Sequence, residues 1–591
     1  MRSEPVSRFR VLTAALMLEL CGGSIYLVGL YNDPLQQIFF SRNQSGQAIM
    51  EKLVFCCNIG NWLPIAGLFY DSKFGGPKST VAVAAALTLI GYGGLCLCAM
   101  HPPTAPSSAY TVLLGVLFFC WGHGSGYFDC TAIATTAYNF PHERGSAVGV
   151  AKALYGLSGS LLTQVYQAFF NREPVGAHFP GFLAFQALFL SGLGASMIPC
   201  VRLVDSTDSM AIADKPRRRL KTGACVIIVL ALALAAVGLL RSFTSLGKPP
   251  YAAQFSYAVF AMSVVGVLAL WSMAWGAPVS ASDQALLPKD PADCAPIDDG
   301  GDASPAPLIN ASAQEEARTH TSDGAVATAT EEDLHTSPPP PLPPSGGAMA
   351  PLTNGTLMAN VRSLNFWLIF VAFFGGAGGG LVFSNHVNYI VHAAYGPSRA
   401  AEADRVKNTL ISLLSVCSCL GRLGFGMGSD AFQHHVTRPQ LFAFATALMG
   451  ASHALLLGAS VVELLFIAAV CNGLSYGAFW ALIPTLVGDL FGQRAFASTY
   501  NAFTIAVSGS SLLLSTELAT LVAEAHTPPP LNASMPAPLC YGPGCYALTH
   551  TVVMALCGVG VVTASILSVR TRTFYRERRP RLPRGSTRWR R

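Results

Sequence analysis

Apolar residues along the chain gather into long runs separated by short polar stretches, and this pattern predicts a series of transmembrane helices. A helix needs roughly 20 mostly apolar residues to cross a bilayer, and fourteen runs of suitable length occur in the sequence. They lie near 9–30, 52–70, 79–100, 109–137, 145–170, 181–203, 222–241, 251–276, 364–392, 406–427, 438–458, 461–487, 496–522 and 546–569. We therefore expect an all-α polytopic membrane protein with about fourteen transmembrane helices.

The composition agrees with this prediction. Of the 591 residues, 52% are hydrophobic and only 12% are charged, whereas soluble chains usually carry about a quarter charged residues. The net charge of +6 is unevenly distributed, because residues 278–360 hold twelve acids and two bases and residues 570–591 hold ten arginines and one glutamate. The basic balance therefore belongs to the tail and loops, and it gives no reason to expect a nucleic-acid partner.

The loops predict an orientation. If the N-terminus is cytoplasmic, most of the 37 Lys and Arg residues fall on the cytoplasmic side, with Arg362 and Arg422 counted there at helix borders, as the positive-inside rule requires. Both termini are then cytoplasmic. The protein is expected in the plasma membrane or in an internal, vacuolar or lysosome-like membrane.

This orientation places two loops outside the cytoplasm. The sequons at Asn43 and Asn532 lie in them and are candidate glycosylation sites. Cys540 and Cys545 share one of these loops and are a candidate disulfide if the loop meets an oxidising compartment.

The chain also repeats itself. The second predicted helix ends in GLFYDSKFGGPK (67–78) and the tenth in GMGSDAF (426–432), and both contain Gly-x-x-x-Asp. NFPHERGSA (139–147) and DLFGQRAFA (489–497) likewise follow the fourth and the twelfth. Each pair has the same place in a set of six helices, so we expect two parallel six-helix bundles around two inserted helices, the plan of the major facilitator superfamily.

The expected organisation follows from this repeat. It comprises an N-terminal bundle, two inserted transmembrane helices, an acidic Pro-rich cytoplasmic loop predicted to be disordered, a C-terminal bundle and a basic tail. Their bounds are 1–221, 222–277, 278–361, 362–570 and 571–591.

The first Gly-x-x-x-Asp loop has the residues of a cytoplasmic gate. Gly67 permits close helix approach, and Asp71 can cap the N-terminus of a neighbouring helix. Gly75 allows a tight turn, and Lys78 can pair with an acid of the other half. The alternative is a solvated turn with ordinary charges.

The gate candidates have counterparts elsewhere in the chain. Arg144 follows the fourth helix, and Gly426 and Asp430 form the second copy of the motif. That copy lacks the following glycine and basic run, so its residues do not predict a latch as those of the first copy do.

Four stretches resemble one branch of the superfamily, the nodulin-like proteins. They are GGSIYLVGLYNDPL (22–35), RGSAVGVAKALYGLSGSLLTQVY (144–166), NFWLIFVAFFGGAGGGLVFSNHVNYI (365–390) and NGLSYGAFWALIPTLVGDLFG (472–492). They are similar to the branch's first, fifth, ninth and twelfth helices. The branch is akin to monocarboxylate-type transporters, which implies transport of a small organic solute. Asp129 departs from this resemblance, because a neutral polar residue is expected in its place.

Three charges lie inside apolar segments of the N-terminal half. Lys152 is roughly 10 Å inside the fifth helix, while Glu19 and Asp129 are near mid-depth of the first and fourth, at ~1.5 Å per residue. We predict a polar pocket in which Lys152 pairs with Glu19 or Asp129 and takes part in proton coupling. The alternatives are a lysine that snorkels to the surface and a fixed ion pair that only joins helices.

Further polar residues share the faces of these charges or lie in the C-terminal half. The candidates for the substrate or ion pathway are Tyr26, Tyr155, Asn385, Asn472 and Tyr476. The run GGAGGG (375–380) in the ninth helix predicts a flexible or broken span.

The function expected from these features is secondary active transport of a small organic solute, with a proton-coupled monocarboxylate-like anion as the candidate. No phosphate-binding loop, zinc-spaced His/Cys set or nucleophile elbow occurs in the sequence, so we expect neither an enzyme nor a cofactor. A non-transporting receptor or scaffold on a carrier fold is the alternative. PPPPLPP (338–344) can bind an SH3- or WW-type cytoplasmic partner or serve as a spacer.

Overall fold

The computed structural model describes residues 8–40, 44–104, 106–171, 175–204, 216–244, 246, 251–273, 350–458, 461–527 and 540–578. These residues form helices and contain no β-strand. Fourteen long helices correspond to the fourteen predicted spans. They are α1 Arg8–Gly22, α2 Gln44–Trp62, α3 Pro77–Met100, α4 Ser108–Asn139, α5 Arg144–Val165, α6 Val175–Met197, α7 Pro216–Phe243, α8 Ala252–Ala269, α9 Leu364–Tyr395, α10 Ala400–Ala431, α11 Arg438–Leu456, α12 Val462–Leu490, α13 Phe496–Ser510 and α14 Gly544–Arg570.

Several spans continue beyond a local change of helix geometry. A 3-10 turn, Gly23–Leu27, joins α1 to the helix Val28–Phe39, and α2 is followed by the short helix Ile65–Tyr70. Both α5 and α13 end in π-helical segments, Tyr166–Phe170 and Ser511–Leu518. Twelve spans among the described residues are long and apolar enough to cross a membrane, and α5 and α11 are the two long helices outside that set.

We call α1–α6 the N-terminal half and α9–α14 the C-terminal half. The halves meet along two seams, one where Ile65–Tyr70 packs on α13 and one where α5 packs on α10. The end of the bundle that holds Arg8 and Arg578 is called the terminal end, because α1 begins there and the last described helix, Arg572–Glu577, lies there.

The inserted helix α7 packs against both α5 and α10, so it covers the seam between the halves. Leu234, Val237, Gly238 and Arg241 of α7 line the central cavity. The inserted pair therefore contributes to the wall of the cavity, a role that its even number and position in the sequence did not indicate.

The glycine run of α9 does not break the helix, which is continuous from Leu364 to Tyr395. Its glycines instead admit neighbouring groups: Gly375 faces the backbone of Leu556, and Gly376 faces the ring of Phe479. The span is therefore not broken, and close packing on α12 and α14 uses the missing side chains.

Candidate functional site

A cavity of about 1760 Å³ lies between the two halves. Asp129, Lys152 and Arg422 line it at mid-depth, and Glu51 and Arg241 line it toward the end opposite the terminal end. The cavity thus brings together charged side chains from α2, α4, α5, α7 and α10.

Lys152 and Asp129 form an ion pair inside this cavity. The ammonium Nζ of Lys152 donates to Oδ1 of Asp129, and only 1% of Lys152 is exposed. Tyr500 of α13 donates its hydroxyl to the other oxygen, Oδ2, at 3.0 Å. One carboxylate therefore joins a lysine of the N-terminal half to a tyrosine of the C-terminal half.

Aromatic rings surround the same ammonium group. Nζ of Lys152 lies 4.9 Å from the ring centroid of Tyr155, 5.0 Å from that of Trp480 and 5.5 Å from that of Tyr500. A cation over an aromatic face is stabilised by the ring quadrupole. Lys152 therefore points inward into this cage, and its side chain does not follow the snorkelling alternative.

Glu19 lies close to this pair but away from the cavity surface. It is fully buried on α1, and neither carboxyl oxygen accepts a hydrogen bond within the described residues. Asp129, Lys152 and Arg422 are its electrostatic neighbours. Of the two acids considered for Lys152, the structure pairs it with Asp129 and leaves Glu19 in the layer behind.

Arg422 is a cavity residue that the sequence reasoning missed. Its Nη1 donates to the backbone oxygen of Lys152 at 2.8 Å, and its Nη2 donates to the Tyr26 hydroxyl at 3.0 Å. It is 1% exposed and lines the cavity. Its assignment to a cytoplasmic helix border was wrong because α10 extends to Ala431, which places Arg422 roughly 14 Å inside the helix.

The other predicted pathway residues also line this cavity. Tyr26 and Tyr155 pack edge to face with centroids 5.5 Å apart. Asn385 donates to Ser515 Oγ at 2.9 Å, Asn472 donates to Met449 Sδ at 3.2 Å, and Tyr476 is 8% exposed. The cavity wall therefore carries hydrogen-bonding groups from both halves.

At the terminal end, Asp71 caps a helix of the opposite half. Its Oδ2 accepts the backbone N–H of Ser498 at 2.7 Å and the Ser498 hydroxyl at 2.6 Å, in the first turn of α13. Burial raises the pKa of the Asp71 carboxyl, against the effect of these hydrogen bonds. Such a carboxylate satisfies free N–H groups and meets the positive end of the helix dipole.

The other residues of that loop shape the contact. Gly67 lies directly against the backbone of Ala497, where a Cβ would collide. Gly75 lies against the backbone of Phe69, and Gly76 has a φ of 92°. Lys78 is exposed, and the expected ion pair to the other half does not occur among the described residues.

The second copy of the motif makes the reciprocal contact. Asp430 accepts the backbone N–H of Gly145 at 3.1 Å and that of Ser146 at 2.6 Å, in the first turn of α5, and it pairs with Arg438 at 2.7 Å. Gly426 lies against the backbone of Gly145. Although the second copy lacks the glycine and basic run of the first, Asp430 has more partners than Asp71, because it also pairs with Arg438.

A further acid, Asp489, lies at the centre of the terminal end. It pairs with Arg144 at 3.2 Å, Arg438 at 2.5 Å and Arg578 at 3.2 Å, and the Tyr575 hydroxyl donates to it at 3.1 Å. Arg144 is a predicted gate residue, whereas the others come from distant segments. The network joins both halves and closes the bundle at this end.

The remaining sequence predictions concern loops. Cys540 and Cys545 are bonded to each other in the structure. Asn43, Asn532 and the Pro-rich loop lie outside the described residues.

Comparisons with known proteins agree with this geometry. The structure of the proton:xylose symporter XylE, a major facilitator superfamily protein, superposes with a TM-score of 0.50 at 12% identity, covering 96% of this chain and 95% of that one. The fold is therefore the major facilitator fold, and the molecule is a membrane protein of that class.

The family is shown by two sequence models. A Nodulin-like model matches residues 8–269, and a model described as the NFD4 C-terminal domain matches residues 353–577. The chain belongs to the nodulin-like branch of the major facilitator superfamily.

Individual relatives are more distant. The chain is 29% identical over 220 residues to Protein NUCLEAR FUSION DEFECTIVE 4 of Arabidopsis thaliana, covering 36% of each chain. It is 26% identical over 151 residues to Probable transporter MCH1 of Yarrowia lipolytica, covering 24% of this chain and 30% of that one. The matches span about a third of the length of these curated relatives.

Proposed function

We propose that this protein is a secondary active transporter that moves a small organic anion across a membrane by alternating access. The observation that carries the proposal is a charged cavity that reaches one end of the bundle while ion pairs between the halves close the other end. The names of the two similar proteins, the proton:xylose symporter XylE and the probable transporter MCH1, are in keeping with it.

The surroundings of Arg422 favour an anion as the solute. Lys152 already has a carboxylate partner in Asp129, but Arg422 is bonded to a backbone carbonyl and a phenol and to no carboxylate among the described residues. A buried guanidinium that no carboxylate bonds directly is costly. A carboxylate of the solute beside Arg422 would supply that charge, and the aromatic and amide groups of the wall would contact the rest of a small molecule.

Protons are the proposed coupling ion. Asp129 is held by Lys152 and Tyr500, so protonation of the carboxylate would release both contacts at once. Glu19 is a second carboxyl group, buried behind the cavity wall and within electrostatic reach of Asp129. Loss of the Asp129 contacts would loosen the link between the halves at mid-depth, which alternating access requires.

We further propose that the terminal end faces the cytoplasm, in line with the distribution of Lys and Arg in the sequence. The described conformation is then open toward the outside or an organelle lumen. Residues 278–361 would emerge on the cytoplasmic side, where a partner of the Pro-rich run would meet them. The receptor alternative would be favoured by a cavity filled with bulky side chains, and the cavity of about 1760 Å³ does not favour it.

The test is counterflow in proteoliposomes with a panel of radiolabelled small carboxylates and, as neutral comparators, sugars. We expect exchange of at least one carboxylate by the wild-type protein and its loss in Arg422→Gln. Arg399→Gln is the matched control, because Arg399 is an exposed arginine paired locally with Glu402. Exchange of sugars alone, or unaltered carboxylate exchange in Arg422→Gln, would contradict the proposal.

A further inference from the structure

Three histidines of the C-terminal half lie outside the Asp129–Lys152 site, and one of them, His386, lines the cavity. They are His386 on α9, His453 on α11 and His550 on α14. His453 and His550 are 0% and 2% exposed. We propose that His453 and His550 form a second proton-binding site, which protons reach from the cavity past His386. The proposal rests on the geometry of the histidines and not on the transport activity proposed above.

The hydrogen bonds fix the arrangement of protons on the neutral pair. His453 Nε2 lies 3.1 Å from the backbone oxygen of Gly379, and a carbonyl oxygen only accepts, so Nε2 carries the proton. Nδ1 of His453 is then a lone pair, and it lies 3.2 Å from Nδ1 of His550. His550 must therefore donate from Nδ1, which leaves its Nε2 as a bare lone pair.

That lone pair is the proposed proton acceptor. His550 Nε2 is buried and has no hydrogen-bond partner within the described residues. A nitrogen left in this state loses the hydrogen bond it would have in water. Addition of a proton from cavity water to Nε2 turns His550 into an imidazolium and keeps its hydrogen bond to His453. A hydronium ion that gives this proton is left as water, and a water molecule that gives it is left as hydroxide.

A path of polar and aromatic groups joins the pair to the cavity. His386 and Tyr546 both line the cavity, and their ring centroids are 5.8 Å apart. The Tyr546 ring stacks on His550 at 6.2 Å. His386 Nε2 donates to the backbone oxygen of Ser515 at 2.7 Å, so the Nδ1 atom of His386 carries a lone pair. This Nδ1 also has no hydrogen-bond partner among the described residues.

Local packing makes room for these rings. A Cβ on Gly379 would lie 3.0 Å from His453 Nε2 and 2.8 Å from Val553 Cγ1. The glycine therefore allows α9 to approach closely enough for its carbonyl to accept the His453 proton. The hydrogen bond from His453 to the Gly379 carbonyl therefore depends on the absence of a side chain at position 379. An apolar residue at position 453 would not need this carbonyl.

The surroundings determine the effect of the proton. The titratable groups that face the pair are His386 from α9 and Tyr546 from α14 itself, while Glu524 of the helix Ala519–Ala525 lines the cavity without a bond to either ring. Asn472 of α12, which contacts α11 at Met449 and Ser452, is neutral. No carboxylate among the described residues bonds to the pair, so protonation adds a full positive charge beside the cavity.

The experiment is ¹⁵N NMR of the full chain labelled at histidine, in lipid, as a function of pH. At alkaline pH we expect one N–H···N correlation between two imidazoles, with one ring protonated at Nδ1 and the other at Nε2. On acidification the ring protonated at Nδ1 should gain a second N–H while the protein remains folded. This measurement needs no variant and no transport.

Variants then assign the signals. His550→Gln and His453→Gln should each abolish the inter-imidazole correlation and the associated protonation, whereas the exposed His101→Gln should change neither. The proposal is overturned if the pair stays neutral down to the pH at which the protein unfolds. It is equally overturned if the same protonation persists in His550→Gln.

Discussion

Among the described residues, the carboxylates that are more than 90% buried lie beside the cavity in the N-terminal half and at the terminal end in the C-terminal half. Glu19 and Asp129 belong to the first group, and Asp430 and Asp489 to the second. The cations of the C-terminal half are divided, with Arg422 in the cavity and Arg438 at the terminal end. Two halves with the same helix order therefore use charge for different purposes.

Equivalent positions make this difference concrete. Asn139 at the end of α4 and Asp489 near the end of α12 begin the corresponding sequences NFPHERGSA and DLFGQRAFA. Asn139 bonds to the backbone of Arg202 and Val204 within its own half. Asp489 binds three arginines, including Arg144 of the other half. At this position the N-terminal half has an amide that bonds within its own half, whereas the C-terminal half has a carboxylate that bonds to the other half.

The helix caps, in contrast, are shared. Asp71 caps α13 and Asp430 caps α5, so each half caps the fifth helix of the other. Both of these helices end in π-helical segments toward the opposite end, a feature often found at functional sites. We infer that the caps are the common gate of the fold and that Asp489 is an addition to it.

The largest effect is expected for Asp489→Asn. It leaves three neighbouring guanidinium groups without their shared counter-charge, and breaking a buried ion pair costs about 3–5 kcal/mol. The closed terminal end should open, seen as faster hydrogen–deuterium exchange in the first turns of α5 and α11. Asn139→Ala is the control in the N-terminal half and should leave this exchange nearly unchanged. Equal effects of the two variants would remove the distinction between the halves.

Lys152→Ala is expected to have the next largest effect, because Asp129 remains buried without its cation. The free energy of unfolding, measured by thermal unfolding, should fall by about 3 kcal/mol. The pH dependence of uptake should shift or disappear. Lys152→Arg keeps the charge but not the compact ammonium inside the three rings, so it should restore stability in part without normal coupling. A normal pH profile for Lys152→Ala would make the pair a structural link only.

The two caps provide a direct comparison between halves. Asp430→Asn loses a charged contact to Arg438 as well as part of the cap, so we expect a cost of about 2–3 kcal/mol. In Asp71→Asn the carboxylate becomes an amide, which can still cap the helix but more weakly. We expect this to lower the free energy of unfolding by about 1 kcal/mol. Transport should slow in both variants while the protein stays inserted and folded. A larger effect of Asp71→Asn on thermal unfolding would reverse our ranking of the latches.

A small effect, on stability alone, is expected for Gly379→Ala. The added Cβ would crowd Val553 and His453, and overpacking of this kind costs about 1–2 kcal/mol. Gly424→Ala is the matched control, since no heavy atom lies within 4 Å of its Cβ position. Thermal unfolding should separate the two, and equal stability would show that α9 is not closely packed at this glycine.

The arrangement of helices follows from the sequence because apolar runs and repeated loop motifs are local signals. All fourteen predicted spans are helical, and the repeated Gly-x-x-x-Asp loops lie at the same end of the bundle. The ion pair of Lys152 could also be anticipated, since a lysine within an apolar helix needs a partner. The choice of Asp129 over Glu19 depends on side-chain directions that spacing alone does not define.

The terminal network was harder to predict because its members are far apart in the chain. Arg144 and Asp489 are separated by 345 residues, and Arg578 comes from the tail. Arg422 was misplaced by an underestimated helix end, although its four-residue spacing from Gly426 was a usable signal, since it puts both on one face of α10. The histidine pair had no sequence signal, because its rings come from separate helices.

The central claim is that the N-terminal half couples protons and that Arg422 of the C-terminal half binds the anion. It is tested most directly by measuring, for the carboxylate found in counterflow, both exchange and pH-gradient-driven uptake in Asp129→Asn and Arg422→Gln. We predict that Asp129→Asn retains exchange and loses gradient-driven uptake, and that Arg422→Gln loses both. Gradient-driven uptake at the wild-type level in Asp129→Asn, or retained exchange in Arg422→Gln, would contradict the account.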